Sequence, residues 1–203
     1  MKADVTVARI ADDTEVEAYA QVLAAAFLNY PVMVKTFGNA PGNRIDWILR
    51  MTRQAIRTRL VMGVPWLVAS KEGVPVGVAL LSLSTHPTPP ELRAKFDEIL
   101  ADAGPESVLF IERFIAATEV VSLPDPHVYL AILGVHPDFQ GQGIGRQLLE
   151  ETMVIAQAIP ACKGVGLDTE DETNVRIYES CGFQVLGQGS VDELPVYILW
   201  RDA

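Results

Sequence analysis

The chain has 203 residues, of which 49% are hydrophobic and 21% charged, and its net charge at pH 7 is −10. This composition is typical of a globular protein with a large core, most simply one domain over residues 1–203. The negative charge argues against a nucleic acid or an anionic membrane as partner and is compatible with a cationic small molecule. The N-terminus lacks the apolar core of a signal peptide, and no stretch resembles a membrane helix, so we expect a cytoplasmic monomer or homodimer.

The cysteines and histidines form no familiar metal-binding pattern. Cys162 and Cys181 belong to no C-x-x-C pair, and His86, His127 and His136 lack the spacing H-E-x-x-H. We therefore expect neither a disulfide framework nor a metal.

Apolar spacing predicts five elements in the first part of the chain. They are a strand over 4–10, a helix over 13–30 that Pro31 ends, a helix over 44–60, and strands over 66–70 and 76–84. Thr14 and Glu17 have the spacing of a capping box at the start of the first helix.

An insertion with two helices is predicted at about residues 85–126, where prolines interrupt the earlier regularity. After it, the pattern predicts a buried strand over 127–135, a helix over 145–159, a strand over 164–169, a helix over 174–182 and a strand over 195–201. Strands that alternate with helices, with a hairpin early in the chain, indicate an α/β fold with a mixed sheet.

The segment "VHPDFQGQGIGRQLLE" (135–150) places three glycines where a helix begins. A strand, a glycine-rich turn and a helix N-terminus together favour an anion, because free backbone N–H groups and the helix dipole point outward. The segment lacks the Lys-Ser or Lys-Thr of a P-loop, and it does not satisfy the dinucleotide pattern G-x-G-x-x-G. It does contain Q-x-x-G-x-G, formed by Gln140, Gly143 and Gly145.

This loop, the preceding "LGVHPDFQ" and the later "NVRIYESCGF" resemble the signatures of the GNAT superfamily of acyl-CoA-dependent N-acetyltransferases. The resemblance implies a largely antiparallel mixed sheet of about seven strands, splayed at the cofactor site, with the helical insertion before the fourth strand. The segments "LAAAFLNYP" and "LDTEDETNVRIYESCGF" are also similar to puromycin N-acetyltransferase and related small-molecule acetyltransferases, in which the Asn likewise lies four residues before the Tyr.

The resemblance assigns acetyl-CoA binding to two segments and to the helix that follows them. Main-chain groups of the strand 127–135 would pair with the pantetheine arm, and the loop would bind the pyrophosphate. For Arg146 the alternatives are a phosphate contact and a solvated helix residue. The implied cofactor residues are Leu133, Gly134, Val135, Gln140, Gly141, Gln142, Gly143, Ile144, Gly145, Arg146, Asn174 and Tyr178.

Tyr178 is the candidate general acid, because a tyrosine hydroxyl, with an ordinary pKa of about 10, keeps its proton at neutral pH and can donate it to a leaving thiolate. A core tyrosine on an amphipathic helix is the alternative. For Asn174 the alternatives are a helix N-cap, a hydrogen-bond donor to the cofactor, or both.

Asp168 is the candidate general base by position in the family, and the alternative is that it orders the following loop. Glu119, His127 and Tyr129 are further candidates on the acceptor side. The acceptor pocket is expected from the end of the first helix, Trp47 and the insertion, and the predicted substrate-binding residues are Phe27, Asn29, Tyr30, Glu119 and Tyr129.

The expected reaction is transfer of acetyl from acetyl-CoA to a primary amine of a small molecule, by direct attack in a ternary complex. One alternative is a protein or peptide acetyltransferase that modifies lysine or the N-terminus. Another is a CoA-binding module without catalysis. Neither the natural amine nor the acyl-chain preference follows from the sequence.

Overall fold

The computed structural model describes residues 5–10 and 15–203. Seven strands and seven α-helices are found there. They follow in the order β1 Val5–Ile10, α1 Val16–Phe27, α2 Pro31–Phe37, α3 Arg44–Met62, β2 Trp66–Lys71, β3 Val74–Leu83, α4 Pro90–Ala103, α5 Pro105–Thr118, β4 Val128–Val135, α6 Ile144–Ala158, β5 Gly164–Thr169, α7 Glu172–Ser180, β6 Gln184–Val191 and β7 Leu194–Asp202. None of the helices in this described part combines the length and the apolar character needed to cross a membrane.

The strands form one mixed sheet in the order β1-β2-β3-β4-β5-β7-β6. Only the pair β4–β5 is parallel, and every other neighbouring pair is antiparallel. The predicted fold class, an α/β fold with a largely antiparallel mixed sheet and a helical insertion before the fourth strand, is confirmed.

Both faces of the central strands are buried by helices, which explains why these strands are apolar at nearly every position. In β2, Leu67 and Ala69 face the cluster that contains α6, while Trp66 and Val68 face the cluster that contains α1 and α3. Successive side chains of a strand point to opposite faces, so one short segment contributes to both halves of the core.

Two elements escaped the sequence analysis. Pro31 does not end the first helix; α1 ends at Phe27, and Pro31 is the first residue of α2, a position where its missing N–H group is tolerated. Strand β6 is an edge strand that contains two glycines and pairs only with β7, so its apolar pattern is weak. Thr14, the first residue of the predicted capping box, lies outside the described residues.

The insertion forms α4 and α5, which pack beside α2, α3 and the last two strands. Phe110 and Ala117 of α5 are buried with Val32 of α2 and Val196 of β7. Phe114, on the same helix, packs partly buried against this cluster. The second helix of the insertion therefore packs against the edge of the sheet formed by β6 and β7.

Candidate active site

Strands β4 and β5 diverge soon after they meet. They pair in parallel at Val128–Val165 and Tyr129–Gly166 only, within the part of the chain that the structure describes. Ala131 is an extra residue on β4, because Leu80 and Leu81 of β3 pair with Ile132 and Leu130. A bulge of this kind bends a strand and can end its pairing on one side. The predicted splay of the sheet is thus present.

The first cavity, which we call the donor cleft, has a volume of about 540 Å³ and lies between the end of β4 and the start of α6. Its lining residues are Ala26, Phe27, Tyr30, Leu133, Gly134, Val135, Phe139, Gln140, Gly141, Gly143, Ile144, Gly145, Arg146, Leu149, Asp171, Asn174, Ile177 and Tyr178. All the sequence-predicted cofactor residues except Gln142 are among them. Gln142 instead accepts a hydrogen bond of 3.2 Å from Lys71 Nζ.

The glycine turn is held open by backbone conformation. Gly141 and Gly143 have φ angles of 72° and 82°, which L side chains rarely adopt, and the space where a Cβ would lie is empty at both. Gly143 is the N-cap of α6 and provides no side-chain cap, so the N–H groups of the first helical turn face the cleft. Gln140 ties the loop to the strand, because its Nε2 donates to the Val135 carbonyl at 3.0 Å.

Arg146 lies at the rim of the donor cleft, with its side chain exposed. Its guanidinium donates a hydrogen bond of 3.0 Å to the Ser180 hydroxyl of α7. This bond joins the first turn of α6 to the last residue of α7, the helix that carries Tyr178. The cleft thereby gains one positive side chain in addition to the positive end of α6.

The second cavity, which we call the acceptor cavity, has a volume of about 130 Å³ and lies on the other side of the splay. Its lining residues are Phe27, Tyr30, Val32, Met33, Ile48, Met51, Thr52, Phe114, Leu130, Ala131, Ile132, Leu133, Asp168, Glu170, Asn174 and Tyr178. Five residues line both cavities, namely Phe27, Tyr30, Leu133, Asn174 and Tyr178. The two cavities therefore meet at the splay.

Two carboxyl groups form the polar end of the acceptor cavity. Asp168 is in β5, Glu170 directly follows the last residue of that strand, and both line the cavity. The Tyr129 hydroxyl donates a hydrogen bond to Asp168 Oδ1. The two carboxyl side chains also interact with each other. Two acidic groups in contact cannot readily ionise together, so they act as a pair that retains a proton.

The environment raises the pKa of both carboxyls. Burial raises the pKa of Asp168, an effect that the Tyr129 hydrogen bond opposes. Burial, and then the negative charge of Asp168, raise the pKa of Glu170 from 4.5 to about 8. Glu170 is only 5% exposed, and its Oε1 atom has no hydrogen-bond partner among the described residues. A buried unpaired acceptor is costly, so this oxygen is available to a donor from a ligand.

A hydrogen-bond network around Thr169 connects the first helix end to α7. The Tyr30 hydroxyl and Thr169 Oγ1 are 3.0 Å apart, and the Glu170 N–H group donates to the Tyr30 oxygen at 3.2 Å. Asn174 Nδ2 donates to Thr169 Oγ1 at 3.3 Å. Of the alternatives for Asn174, the helix N-cap is excluded. Asp171 fills that position and accepts from the Thr173 N–H group.

Tyr178 stands at the junction of the two cavities, with its ring edge-to-face against Phe183. Burial, and then the charges of Asp168 and Glu170, raise the pKa of its hydroxyl. The hydroxyl forms no hydrogen bond with another side chain or backbone group in residues 5–10 and 15–203. A protonated phenol that can donate is the form a thiolate leaving group requires.

The structure does not bring every predicted acceptor residue to the cavity. Asn29 is exposed and accepts from Arg44 Nη2 at 3.3 Å, and Glu119 is exposed at the end of α5. Trp47 stacks on Phe37 away from the cavity, which agrees with core packing. Tyr129 reaches the site only through its bond to Asp168.

His127 does not line the acceptor cavity either; its Nδ1 atom lies 3.0 Å from the Pro124 carbonyl. The sequence analysis missed Glu170, although a second acidic residue two positions beyond Asp168 was a usable signal. No group of three or more potential metal ligands occurs within the described ranges.

Comparison with known proteins agrees with this geometry. A model of the acetyltransferase (GNAT) domain matches residues 105–185, from α5 to the start of β6. The peptidyl-lysine N-acetyltransferase YjaB of Salmonella typhimurium is 28% identical over 109 residues, which cover 50% of this chain and 68% of that protein.

Two solved structures share the fold along nearly the whole chain. The arylalkylamine N-acetyltransferase 2 of Aedes aegypti superposes with a TM-score of 0.73 at 18% identity, covering 98% of this chain and 99% of its own. The structure of YncA of Salmonella typhimurium contains its cofactor acetyl-CoA. It superposes with a TM-score of 0.56 at 18% identity, covering 98% of this chain and 94% of its own. The matched domain and the named relative support a GNAT acetyltransferase, and the fold of these two structures extends over nearly the whole chain.

Proposed function

We propose that this protein transfers acetyl from acetyl-CoA to a primary amine of a small molecule, by direct attack within a ternary complex. The observation that carries the proposal is the meeting of two chemically different cavities at Tyr178. One is open, glycine-lined and positive at a helix N-terminus, and the other is small, apolar and acidic at one end. We also propose that residues 1–203 form a single domain, because all seven strands of the described chain belong to one sheet.

The donor cleft fits acetyl-CoA in two respects. The glycine turn and the first turn of α6 offer N–H groups and a Cβ-free surface suited to a pyrophosphate. Leu133, Gly134 and Val135 lie past the point where β4 loses β5, so one edge of this strand can pair with the amide groups of pantetheine. Acetyl-CoA, when bound, supplies the acetyl thioester.

The acidic pair is suited to bind the amine and take its proton. The unpaired Glu170 oxygen accepts a hydrogen bond from the ammonium, and the Glu170–Asp168 pair takes up one proton from it, which frees the nitrogen lone pair to attack the acetyl carbon. The second proton that the nitrogen loses, once its bond to the acetyl carbon has formed, replaces the proton that Tyr178 gives to the sulfur. Tyr129 keeps Asp168 oriented. The pair fills the role that the sequence suggested for Asp168 alone.

Tyr178 and the backbone of β4 are suited to stabilise the negative charges that develop on the departing sulfur and on the carbonyl oxygen. As the carbon–sulfur bond breaks, the Tyr178 hydroxyl donates its proton to the departing sulfur. A backbone N–H group of Leu133–Val135 stabilises the negative charge on the carbonyl oxygen. Neither Cys162 nor Cys181 lines either cavity, which supports direct attack over a covalent acetyl-enzyme.

A protein or peptide acetyltransferase is the second candidate, and the relative YjaB, named as a peptidyl-lysine N-acetyltransferase, favours it. The test is to incubate the protein with acetyl-CoA and either small primary amines or lysine-containing peptides. Thiol release and the mass of the product are then followed. Small amines should be acetylated with the higher kcat/KM. Acetylation of peptides alone would contradict the proposed acceptor class, and absence of any acetylated product would contradict the proposed reaction.

A further inference from the structure

The walls of the acceptor cavity are mainly apolar. They are formed by apolar side chains from three helices of the first part of the chain, from the insertion and from β4. Representative residues are Phe27, Met33, Ile48, Met51, Phe114 and Ile132. No lysine, arginine or histidine is among the described lining residues. A ligand body in this cavity therefore contacts hydrocarbon on nearly all sides.

The charged groups are confined to one end of the cavity, and the Thr52 hydroxyl on α3 is bonded to the backbone carbonyls of Ala20 and Ile48. Asp168 and Glu170 are its only carboxyls, and the Glu170 Oε1 atom is buried without a partner. Because the two carboxyls are in contact, they do not readily ionise together, so the pair favours one negative charge over two. That charge complements one ammonium group. A second ammonium would lie against apolar walls without a partner, which is costly.

The size of the cavity limits the body of the ligand. Its volume of about 130 Å³ is comparable to the ~150 Å³ apolar cavity that admits a benzene molecule in another protein. One aromatic ring or a short branched alkyl group fills such a space. A nucleoside or an aminosugar carries too many polar groups and too much volume for it.

We infer that the acceptor is a compact monoamine, in which one primary ammonium is joined by a short link to an apolar body about the size of one aromatic ring. The ammonium is placed at Glu170, and the body lies between Phe27, Met51 and Phe114. This inference rests on the acetyl transfer proposed above and narrows its substrate.

The test compares kcat/KM for 2-phenylethylamine, putrescine, spermidine and a lysine-containing peptide, measured by thiol release with acetyl-CoA. We expect 2-phenylethylamine to exceed each of the others by about tenfold or more, the scale on which an apolar pocket discriminates. Equal or faster acetylation of putrescine, spermidine or the peptide would overturn the monoamine inference and leave acetyl transfer standing. If no amine is acetylated although acetyl-CoA binds, the proposed reaction fails as well.

A variant tests the position of the ligand body. Phe114→Ala enlarges the cavity, so the ratio of kcat/KM for 2-(1-naphthyl)ethylamine to that for 2-phenylethylamine should rise by about tenfold. Ile115→Ala is the matched control, because Ile115 is the next residue on α5, is 51% exposed and does not line the cavity. A ratio that moves equally in both variants, or in neither, would overturn the placement. Circular dichroism of both variants checks that each one is folded.

Discussion

The donor cleft and the acceptor cavity share Tyr178 and four other lining residues but are constructed differently. The cleft is formed mainly by the continuous segment Leu133–Arg146, and its contacts are suited to backbone groups. The cavity is assembled from side chains of α1, α2, α3, α5, β4 and β5, which are far apart in the sequence. A site that uses backbone geometry is visible as a local motif, whereas a site made of distant side chains depends on the complete fold.

The largest effect on the acceptor side is expected from Glu170→Gln. The amide keeps the size of the side chain but cannot take up a proton, so kcat/KM should fall by about 100-fold or more. Steady-state thiol release with 2-phenylethylamine measures it. Glu179→Gln is the control, since Glu179 is an exposed residue of α7 that lines neither cavity. Equal values of kcat/KM for the wild type and Glu170→Gln would show that Glu170 takes no part in the reaction.

Tyr178→Phe tests the junction of the two regions. The ring and its contact with Phe183 are retained, and only the proton donor is lost. We expect kcat to fall by roughly 10- to 100-fold while the Kd for acetyl-CoA stays unchanged. Calorimetry and initial rates on the same preparation separate the two quantities. A weaker Kd with unchanged kcat would instead make Tyr178 a cofactor-binding residue.

The pH dependence of kcat/KM should report the acidic pair. Since the pKa of Glu170 is raised to about 8, the pair gains its proton-accepting form as the pH rises through that value. The rate should increase with an inflection near pH 8 in the wild type, and Glu170→Gln should lack this inflection. An amine that itself titrates does so in both proteins, so the comparison removes its contribution. A shared inflection would mean that the pair is not the base.

The stability of the wild type should change with pH in the opposite direction to its activity. The folded protein holds the Glu170 proton up to about pH 8, whereas the unfolded chain releases it near 4.5. The free energy of unfolding of the wild type is therefore lowered as the pH rises between these values. From pH 5 to 8.5, Glu170→Gln should gain on the order of 2 to 4 kcal/mol relative to wild type. Urea unfolding at both pH values measures it, and a constant difference would contradict the burial of this charge.

The sequence predicts the sheet, the insertion and the cleft because each depends on local chemistry. Gln140, Gly143 and Gly145 were recognisable without the fold. Glu170 was not, because its raised pKa arises from burial by the acceptor cavity walls and from the neighbouring Asp168.

Errors at the acceptor side have the same origin. Asn29 and Glu119 are polar residues of the expected segments, but each lies just beyond the end of a helix and is exposed. Met33 and Met51 carry no polar signal, and only the packing of α2 and α3 beside β4 shows that they line the cavity. Side-chain convergence of this kind requires the three-dimensional arrangement of the helices.

The most direct test of the account is calorimetric titration of acetyl-CoA into the wild type and into Gly143→Asp. The aspartate adds a negative charge and a side chain at a φ angle of 82°, so binding should weaken by roughly 100-fold or more. Gly42→Asp is the matched control, because Gly42 has a φ angle of 80°, has no atom near its Cβ position and lines neither cavity. Tight binding by wild type and Gly42→Asp, lost in Gly143→Asp, is the predicted result. No binding by the wild type, or equal binding by Gly143→Asp, would contradict the assignment of the donor cleft.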